Sequence, residues 1–369
     1  MNKPIRILFL TLLPEIGASS RYRVYQFLPH LKRLGYAFRV SPLISERQFL
    51  MGFNVRYVNF IYKLFRSLYA IVAGVLRRTY DIATAGNYDI VFIQKDILLP
   101  GMDVLLRMIN HRIIFDFDDA LYAQNPAVKR LHRWLSYQRK AVLDRMLKIS
   151  SIVLVENEWN KSYAMNYCKD IRILTGPIDT DRFTPAHNRK PCAAVVVGWI
   201  GAPTTAPNLK LIEPVFCRLT IKYPDLVFRF VGSGNFPFDN TLAIERHDWR
   251  LSTEVELLQS FDIGIMPIED HAWARGKGGT KLLQYMATGL PCVASPVGIN
   301  KEIVVHGKTG FLTETERDWF ERLSFLIENS QERRQMGAHG RTRAEEHYSL
   351  HQAVLVWDKI FREVISTKR

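Results

Sequence analysis

Eight short apolar runs recur along this chain with helix-length stretches between them, and that alternation restricts the fold more than any other feature. They are Ile5–Leu12, Tyr88–Gln94, Arg112–Phe117 and Ile152–Val155, then Ala194–Gly198, Leu226–Val231, Ile263–Pro267 and Pro291–Ala294. Runs of this length read as strands buried on both faces, which pair in parallel because a helix crosses over between them. The alternation breaks once, from Phe183 to Pro191, where two prolines flank a polar stretch before a fresh strand at Ala194. A chain of 369 residues, 47% of them hydrophobic, is large enough for two such α/β domains, each with its own core. The expected domains are residues 1–186 and 187–345, two Rossmann-like, doubly wound units facing across a cleft. A last helix in 346–369, apolar at Val354, Trp357, Ile360, Phe361 and Val364, is expected to cross back to the first domain. Ligands of open parallel sheets sit beyond the carboxyl ends of the strands.

Two segments following strands place cations where a helix begins. In Trp273-Ala-Arg-Gly-Lys-Gly-Gly-Thr-Lys-Leu-Leu-Gln-Tyr-Met-Ala287, Thr280 reads as an N-cap, Leu282 to Ala287 as helix, and Gly289 with Pro291 as the stop. A helix start carries about half a positive charge, so a cation there costs roughly 0.3–1 kcal/mol. Arg275, Lys277 and Lys281 are therefore misplaced unless an anion sits among them. Gly276, Gly278 and Gly279 would let backbone N–H groups approach that anion, as phosphate-binding loops do. Near the N-terminus, Gly17-Ala-Ser-Ser-Arg-Tyr-Arg23 precedes an amphipathic stretch, with Ser19 or Ser20 as cap and Arg21 and Arg23 in the first turn. Two basic helix starts predict one polyanion held between the domains, although Arg21 could instead pair with a carboxylate such as Asp118.

The net charge of +14 is unevenly placed. Residues 1–184 hold 27 Lys and Arg against 15 Asp and Glu, whereas residues 185–369 hold 23 against 21. Much of the excess adjoins apolar or aromatic residues, as in Tyr62 to Arg78 and Lys129 to Trp134, a mixture suited to an anionic membrane surface. The apolar run Leu68–Leu76 is too short to span a bilayer. No helix-turn-helix, zinc-finger or ribonucleoprotein pattern accompanies the charge, so nucleic acid is not the expected partner. Cys168, Cys192, Cys217 and Cys292 lack metal or disulfide spacing. With no basic, apolar and small-residue leader at the N-terminus, a cytoplasmic protein at the inner face of the membrane is expected.

Five passages in order resemble family 4 glycosyltransferases of the GT-B fold, the group 1 type. Gly176 to Pro185 is similar to N-G-V-D-x-x-x-F-x-P, Leu226 to Gly234 to a strand ending in V-G-x-G, and Phe261 to Pro267 to A-D-x-x-x-x-P. Lys281 to Ser295 resembles K-L-x-E-Y-x-A-x-G-x-P-V-V-A, and Glu302 to Phe311 resembles E-x-V-x-x-G-x-x-G-F. The closest likeness is a subgroup with R-G-K and G-W-I-G-x-P-T-T patterns. Two departures stand out. The family's Glu-x7-Glu motif would put carboxylates at 276 and 284, where this chain has Gly276 and Gln284. The Arg/Lys pair that relatives carry for the diphosphate is missing from Gly198 to Thr205.

The resemblance implies a nucleotide-sugar-dependent transferase acting on a lipid-linked or cell-surface glycan, such as a polysaccharide or lipopolysaccharide, retaining the anomeric configuration without metal or other cofactor. Arg275 and Lys277, with the N–H groups of Gly279 and Thr280, are expected to neutralise the departing diphosphate, because electrostatic stabilisation dominates such steps. Gly17, Arg21, Gly201, Thr204, Thr205, Gly278, Lys281, Gly298, Asn300 and Glu302 complete the expected donor site. Gln284 would bond the ribose hydroxyls through its amide, and Glu269 or Asp270 would replace the missing carboxylate. Asp118 or Asp119 is expected to contact the transferred sugar or orient the acceptor hydroxyl. The Asp116-Phe-Asp118 spacing could also suit a divalent metal, a reading that the two-domain organisation disfavours. His247, His271 and His306 lack the partners of a general base. The rival reading is a degenerate GT-B scaffold that binds a nucleotide sugar or a partner enzyme without turnover.

Overall fold

The structure, a computed structural model, describes residues 3–53, 60–124, 133–186, 194–239 and 242–367, with backbone only for 51–53, 60–67 and 133–139. Residues 187–191 of the expected junction, and the basic run from Lys129 to His132, lie outside the described residues.

Two compact units emerge, one of residues 1–176 with 353–369 and one of residues 177–352. The boundary expected at 186 therefore falls about ten residues earlier. Backbone bonding explains the shift: Ile178 donates to Tyr348 O at 2.8 Å and Leu350 donates to Ile178 O at 2.9 Å. The Arg341 guanidinium also donates to Thr180 O at 2.9 Å, and the Gln259 amide to Thr184 O at 2.7 Å. Residues 177–184 are thus tied to the second unit, and the break at the prolines is not the unit boundary.

The first unit contains β1 (Arg6–Thr11), β2 (Ala37–Pro42), β3 (Ile90–Gln94), β4 (Ile113–Phe117), β5 (Ile152–Val155) and β6 (Ile171–Ile173), all parallel, in the order β2-β1-β3-β4-β5-β6. The second contains β7 (Val196–Ile200), β8 (Val227–Val231), β9 (Ile244–His247), β10 (Ile263–Met266), β11 (Cys292–Ala294) and β12 (Gly310–Leu312), also parallel, in the order β12-β11-β10-β7-β8-β9. The apolar runs supply the eight inner strands. The four strands they did not announce, β2, β6, β9 and β12, are the four sheet edges. An edge strand keeps one side in solvent and need not be uniformly apolar. In β9, for example, Glu245, Arg246 and His247 are exposed.

Chain order reverses beside β1 in the first sheet and between β7 and β10 in the second. At such a reversal the connections leave on opposite sides and open a crevice at the carboxyl ends of the strands. Leu12 to Arg23 and Lys95 lie there in the first unit; Gly201 to Thr205 and Pro267 to Lys281 lie there in the second.

Residues 353–366 of the helix Leu350–Ser366 close one face of the first sheet. Trp357, fully buried, stacks on Phe27 with ring centroids 3.9 Å apart and on Phe9 at 5.9 Å. Replacing a buried tryptophan by alanine typically costs 3–5 kcal/mol through lost burial and a residual cavity. Trp357→Ala is expected to lower the first unit's unfolding free energy by about that amount in urea titration. A loss below about 1 kcal/mol would mean that this helix does not complete the core.

Candidate active site

In the second unit the helix Thr280–Ala287 begins one residue earlier than its sequence suggested. Gly279 is its N-cap, with φ 69° and no side-chain cap bond, and Thr280 is its first residue rather than its cap. Glycine is required there twice over: the backbone is left-handed, and a Cβ would meet Ile303 Cδ1 at 2.3 Å. The N–H groups of Gly278, Gly279, Thr280 and Lys281 find no acceptor among the described residues. They form the unpaired donor set expected at a helix start.

The three cations divide into separate roles. Arg275 is not at this helix start; it closes the short helix Ala272–Arg275, which His271 caps by accepting from Ala274 N–H at 3.1 Å. Its guanidinium forks onto Asp270 at 2.6 and 3.0 Å, so its charge is already matched. The Arg275 hydrogen bond holds the Asp270 carboxyl below its ordinary range. Asp270, one of the two proposed replacement carboxylates, is thereby committed, while Glu269 is exposed.

Lys281 is the cation without a carboxylate among the described residues. Its ammonium donates to Thr205 Oγ1 at 3.4 Å and lies 4.6 Å from the centre of the buried Trp199 ring. Burial first, and the nearby Lys277 second, push its pKa down to about 7. A hydroxyl and an aromatic face only partly replace water. An incoming anion would restore the full charge.

Gly201 brings the loop after β7 close to this ammonium, since a Cβ at 201 would meet Trp199 Cζ2 at 2.5 Å and Thr205 Oγ1 at 2.9 Å. Thr205 also bonds Ala202, whereas Thr204 is exposed. Gly298 and Asn300 support the loop from behind: Gly298, at φ 53°, leaves no room for a Cβ against Arg275 O at 2.6 Å, and Asn300 donates to Ser295 O at 3.0 Å. Glu302 is exposed.

Gln284 is buried, and its amide nitrogen donates to Glu254 at 3.1 Å. Glu254, 1% exposed, also accepts from Trp249 Nε1 at 3.0 Å and Arg182 at 2.8 Å. The amide expected to face ribose thus has its donor side on a buried carboxylate. The sequence offered no sign of Glu254, because an acidic residue at a helix start reads as an ordinary helix-end charge.

The first unit's cluster is acidic rather than basic. Gly17 caps the six-residue helix Ala18–Arg23 through its backbone, and Ser19 and Ser20, the expected caps, lie within the helix. Ser19 donates to Asp118 at 2.6 Å, and Ser20 donates to Gln94 at 2.6 Å. Arg23 is not an anion holder: it is fully buried on Asp116, with Glu156 at 3.4 Å. Burial pushes the Glu156 carboxyl well above its ordinary range, with Arg23 opposing and Asp118 and Asp116 reinforcing the rise. Arg21 donates to Ile16 O at 3.1 Å and lies over the Tyr22 ring. Lys95 approaches Asp118 at 3.0 Å and also bonds Asp119. Lys95, which directly follows the apolar run Ile90–Gln94, could have been found from its place at a strand's carboxyl end. The carboxylates that a metal reading would use are each bonded to a cation of the chain.

Residues 194–329 match the family model described as Glycosyl transferases group 1. The D-inositol 3-phosphate glycosyltransferase of Corynebacterium urealyticum is 22% identical over 228 residues, 54% of this chain and 51% of that protein. The chain thus matches about half the length of that curated relative. Sucrose-phosphate synthase from Thermosynechococcus elongatus superposes with a TM-score of 0.69 at 15% identity, covering 99% of this chain and 100% of the other. HepE of Anabaena, solved with UDP and glucose, superposes with a TM-score of 0.66 at 12% identity, covering 97% and 100%. The architecture is the GT-B fold. Within the second unit, residues 194–329 are similar to the group 1 glycosyltransferases.

Lys281 titrates near pH 7 in the folded chain, against about 10.4 unfolded. The unfolded state therefore binds more protons between these values, so wild-type stability should rise over this range relative to Lys281→Met. Below pH 7 the cost of burying the charge is present in full. A bound anion should raise the Lys281 pKa again. Calorimetry with inorganic pyrophosphate near pH 8, in buffers of different ionisation enthalpy, should show more proton uptake by wild type than by Lys281→Met, which binds about tenfold more weakly. Equal proton uptake by both would remove Lys281 from the anion site.

Proposed function

We propose that this chain transfers a sugar from a nucleotide-diphosphate donor to a lipid-linked or cell-surface glycan, retaining the anomeric configuration and using no metal or other cofactor. One observation carries the reading: Lys281, in the first turn of its helix, has no carboxylate for its ammonium among the described residues, and the N–H groups at that helix start find no acceptor among them. That arrangement suits a diphosphate, whose negative charge grows as the bond from its oxygen to the sugar's anomeric carbon breaks. Lys281 is the principal cation, Lys277 the second, and Gly278, Gly279 and Thr280 supply backbone donors. Arg275 acts through its fork with Asp270, which braces the loop. Asp118 and Asp119 of the first unit orient the acceptor hydroxyl, whose oxygen bonds the anomeric carbon as its proton leaves. The UDP and glucose bound by HepE make uridine nucleotides the first donors to test.

The first unit's surface supports this acceptor and a location at the membrane. The helix Phe60–Ala83 exposes Leu68, Ile71, Val72 and Leu76 at three- to four-residue spacing, in the half of the chain that holds nearly all the excess positive charge. No helix among the described residues is long and apolar enough to cross a membrane. An amphipathic helix of this kind suits peripheral contact with the anionic inner face of the cell membrane. The scaffold reading retains one argument, the absence of carboxylates at 276 and 284.

A thermal-shift panel of UDP, GDP, ADP and their sugars should single out one base. Stabilisation of about 2.7 kcal/mol is expected at a hundredfold excess over Kd. Transfer should persist in EDTA, and Asp118→Asn should lower kcat about 100-fold while leaving donor binding within about twofold. Binding without transfer or donor hydrolysis across a broad panel would establish the scaffold instead, and loss of transfer in EDTA would end the metal-free mechanism.

A further inference from the structure

Lys95 has a role that neither the sequence motifs nor the family match assigns. Among the described residues it is the one non-glycine residue with positive φ, at 56°. A lysine gains nothing from left-handed backbone, so the conformation persists because its surroundings hold it. Its N–H donates to Asp116 O at 2.7 Å, and its ammonium reaches Asp118 Oδ1 at 3.0 Å and Asp119. The turn after β3 thus delivers one positive charge between the carboxylates of two consecutive residues after β4.

Those carboxylates are 14% and 20% exposed, so water screens their mutual repulsion only partly. The second oxygen of Asp118 is fixed by a chain of donors. Leu13 N–H donates to Ser20 Oγ at 3.1 Å, Ser20 to Gln94 Oε1 at 2.6 Å, Gln94 Nε2 to Ser19 Oγ at 3.0 Å, and Ser19 to Asp118 Oδ2 at 2.6 Å. Arg23 is occupied with Asp116 and Glu156 and cannot take over from Lys95.

We propose that Lys95 is the positioning residue of the Asp118–Asp119 pair, an internal ammonium standing where two adjacent carboxylates would otherwise draw a divalent cation. Its consequence for transfer rests on the reading of Asp118 as the acceptor-orienting group; its electrostatic part does not. With Lys95 in place the pair holds one geometry and has little attraction for added metal. Without it, the pair becomes a divalent-cation site.

The test uses the full chain and Mn2+ alone as probe, in wild type, Lys95→Ala and Lys95→Gly. Glycine removes the ammonium while accepting the left-handed backbone, so it separates charge from strain and remains informative if the alanine variant fails to fold. Millimolar Mn2+ should leave the wild-type melting temperature unchanged and raise that of both variants, and adding Asp119→Asn to either should abolish the rise. In transfer assays Lys95→Ala and Lys95→Gly should lose about 100-fold in kcat with donor KM within about twofold, and Mn2+ should restore part of that loss. Lys95→Arg, which keeps the charge, should retain more activity than either. A folded Lys95→Gly that Mn2+ stabilises no more than wild type would overturn the proposal. If no donor supports transfer even in wild type, the glycosyltransferase reading fails, and the melting data alone still decide the role of Lys95.

Discussion

Parallel pairing governs this molecule, because it sends every loop that follows a strand to the same edge of its sheet. Hydrogen bonds within each sheet satisfy the interior backbone, and the apolar inner strands bury both faces, so the interior has no place for chemistry. Polar groups must collect at the carboxyl edge, most of all where chain order reverses. Thr205 and Lys281 meet beyond β7 and β10 in the second unit, and Ser19, Lys95 and Asp118 meet beyond β1, β3 and β4 in the first. None of these groups is near its partner in sequence; the parallel topology makes them neighbours.

The two edges treat charge in opposite ways. The first unit answers its carboxylates from within: Arg23 pairs with Asp116, and Lys95 stands between Asp118 and Asp119. Such an arrangement presents hydrogen-bonding groups held in fixed positions, with carboxylates in excess of cations. The second unit leaves Lys281 without a carboxylate among the described residues, at the positive end of a helix. Helix start, glycine-rich loop and ammonium all favour the same sign of ligand. The contrast is between a cluster whose charges answer one another and a loop that leaves a cation for a ligand to answer.

Much of this was legible in the residues. Continuous apolar runs identified all eight inner strands, since a strand covered on both faces carries few polar positions. The four edges escaped because partial solvation permits residues such as Glu245 and Arg246 in β9. The glycine-rich loop before Thr280 drew notice for a local reason, positive charge near a helix start. Within it, weight fell on Arg275 rather than Lys281, because the fork to Asp270 depends on side-chain direction in a four-residue helix. Arg23 misled similarly: its carboxylates lie 93 and 133 residues away, beyond any periodicity. Glu254 was invisible, because its neighbours Arg182 and Gln284 are brought to it only by folding.

The Gln284–Glu254 contact explains why glutamine suits position 284. A glutamate at 284 would place a second carboxylate against the buried Glu254, and two such groups 3.1 Å apart could not both stay ionised. Glutamine avoids that repulsion, because its amide nitrogen donates to Glu254 while its carbonyl oxygen retains an acceptor's character. Arg182 and the Trp249 indole hold Glu254 in place from other directions. Gln284 and the carboxylate at 254 thus form one electrostatic unit that joins the helix Thr280–Ala287 to the start of the helix Glu254–Gln259. Read alone, Gln284 is a motif position without its charge; beside Glu254 it is the residue type that a buried carboxylate accepts as a neighbour.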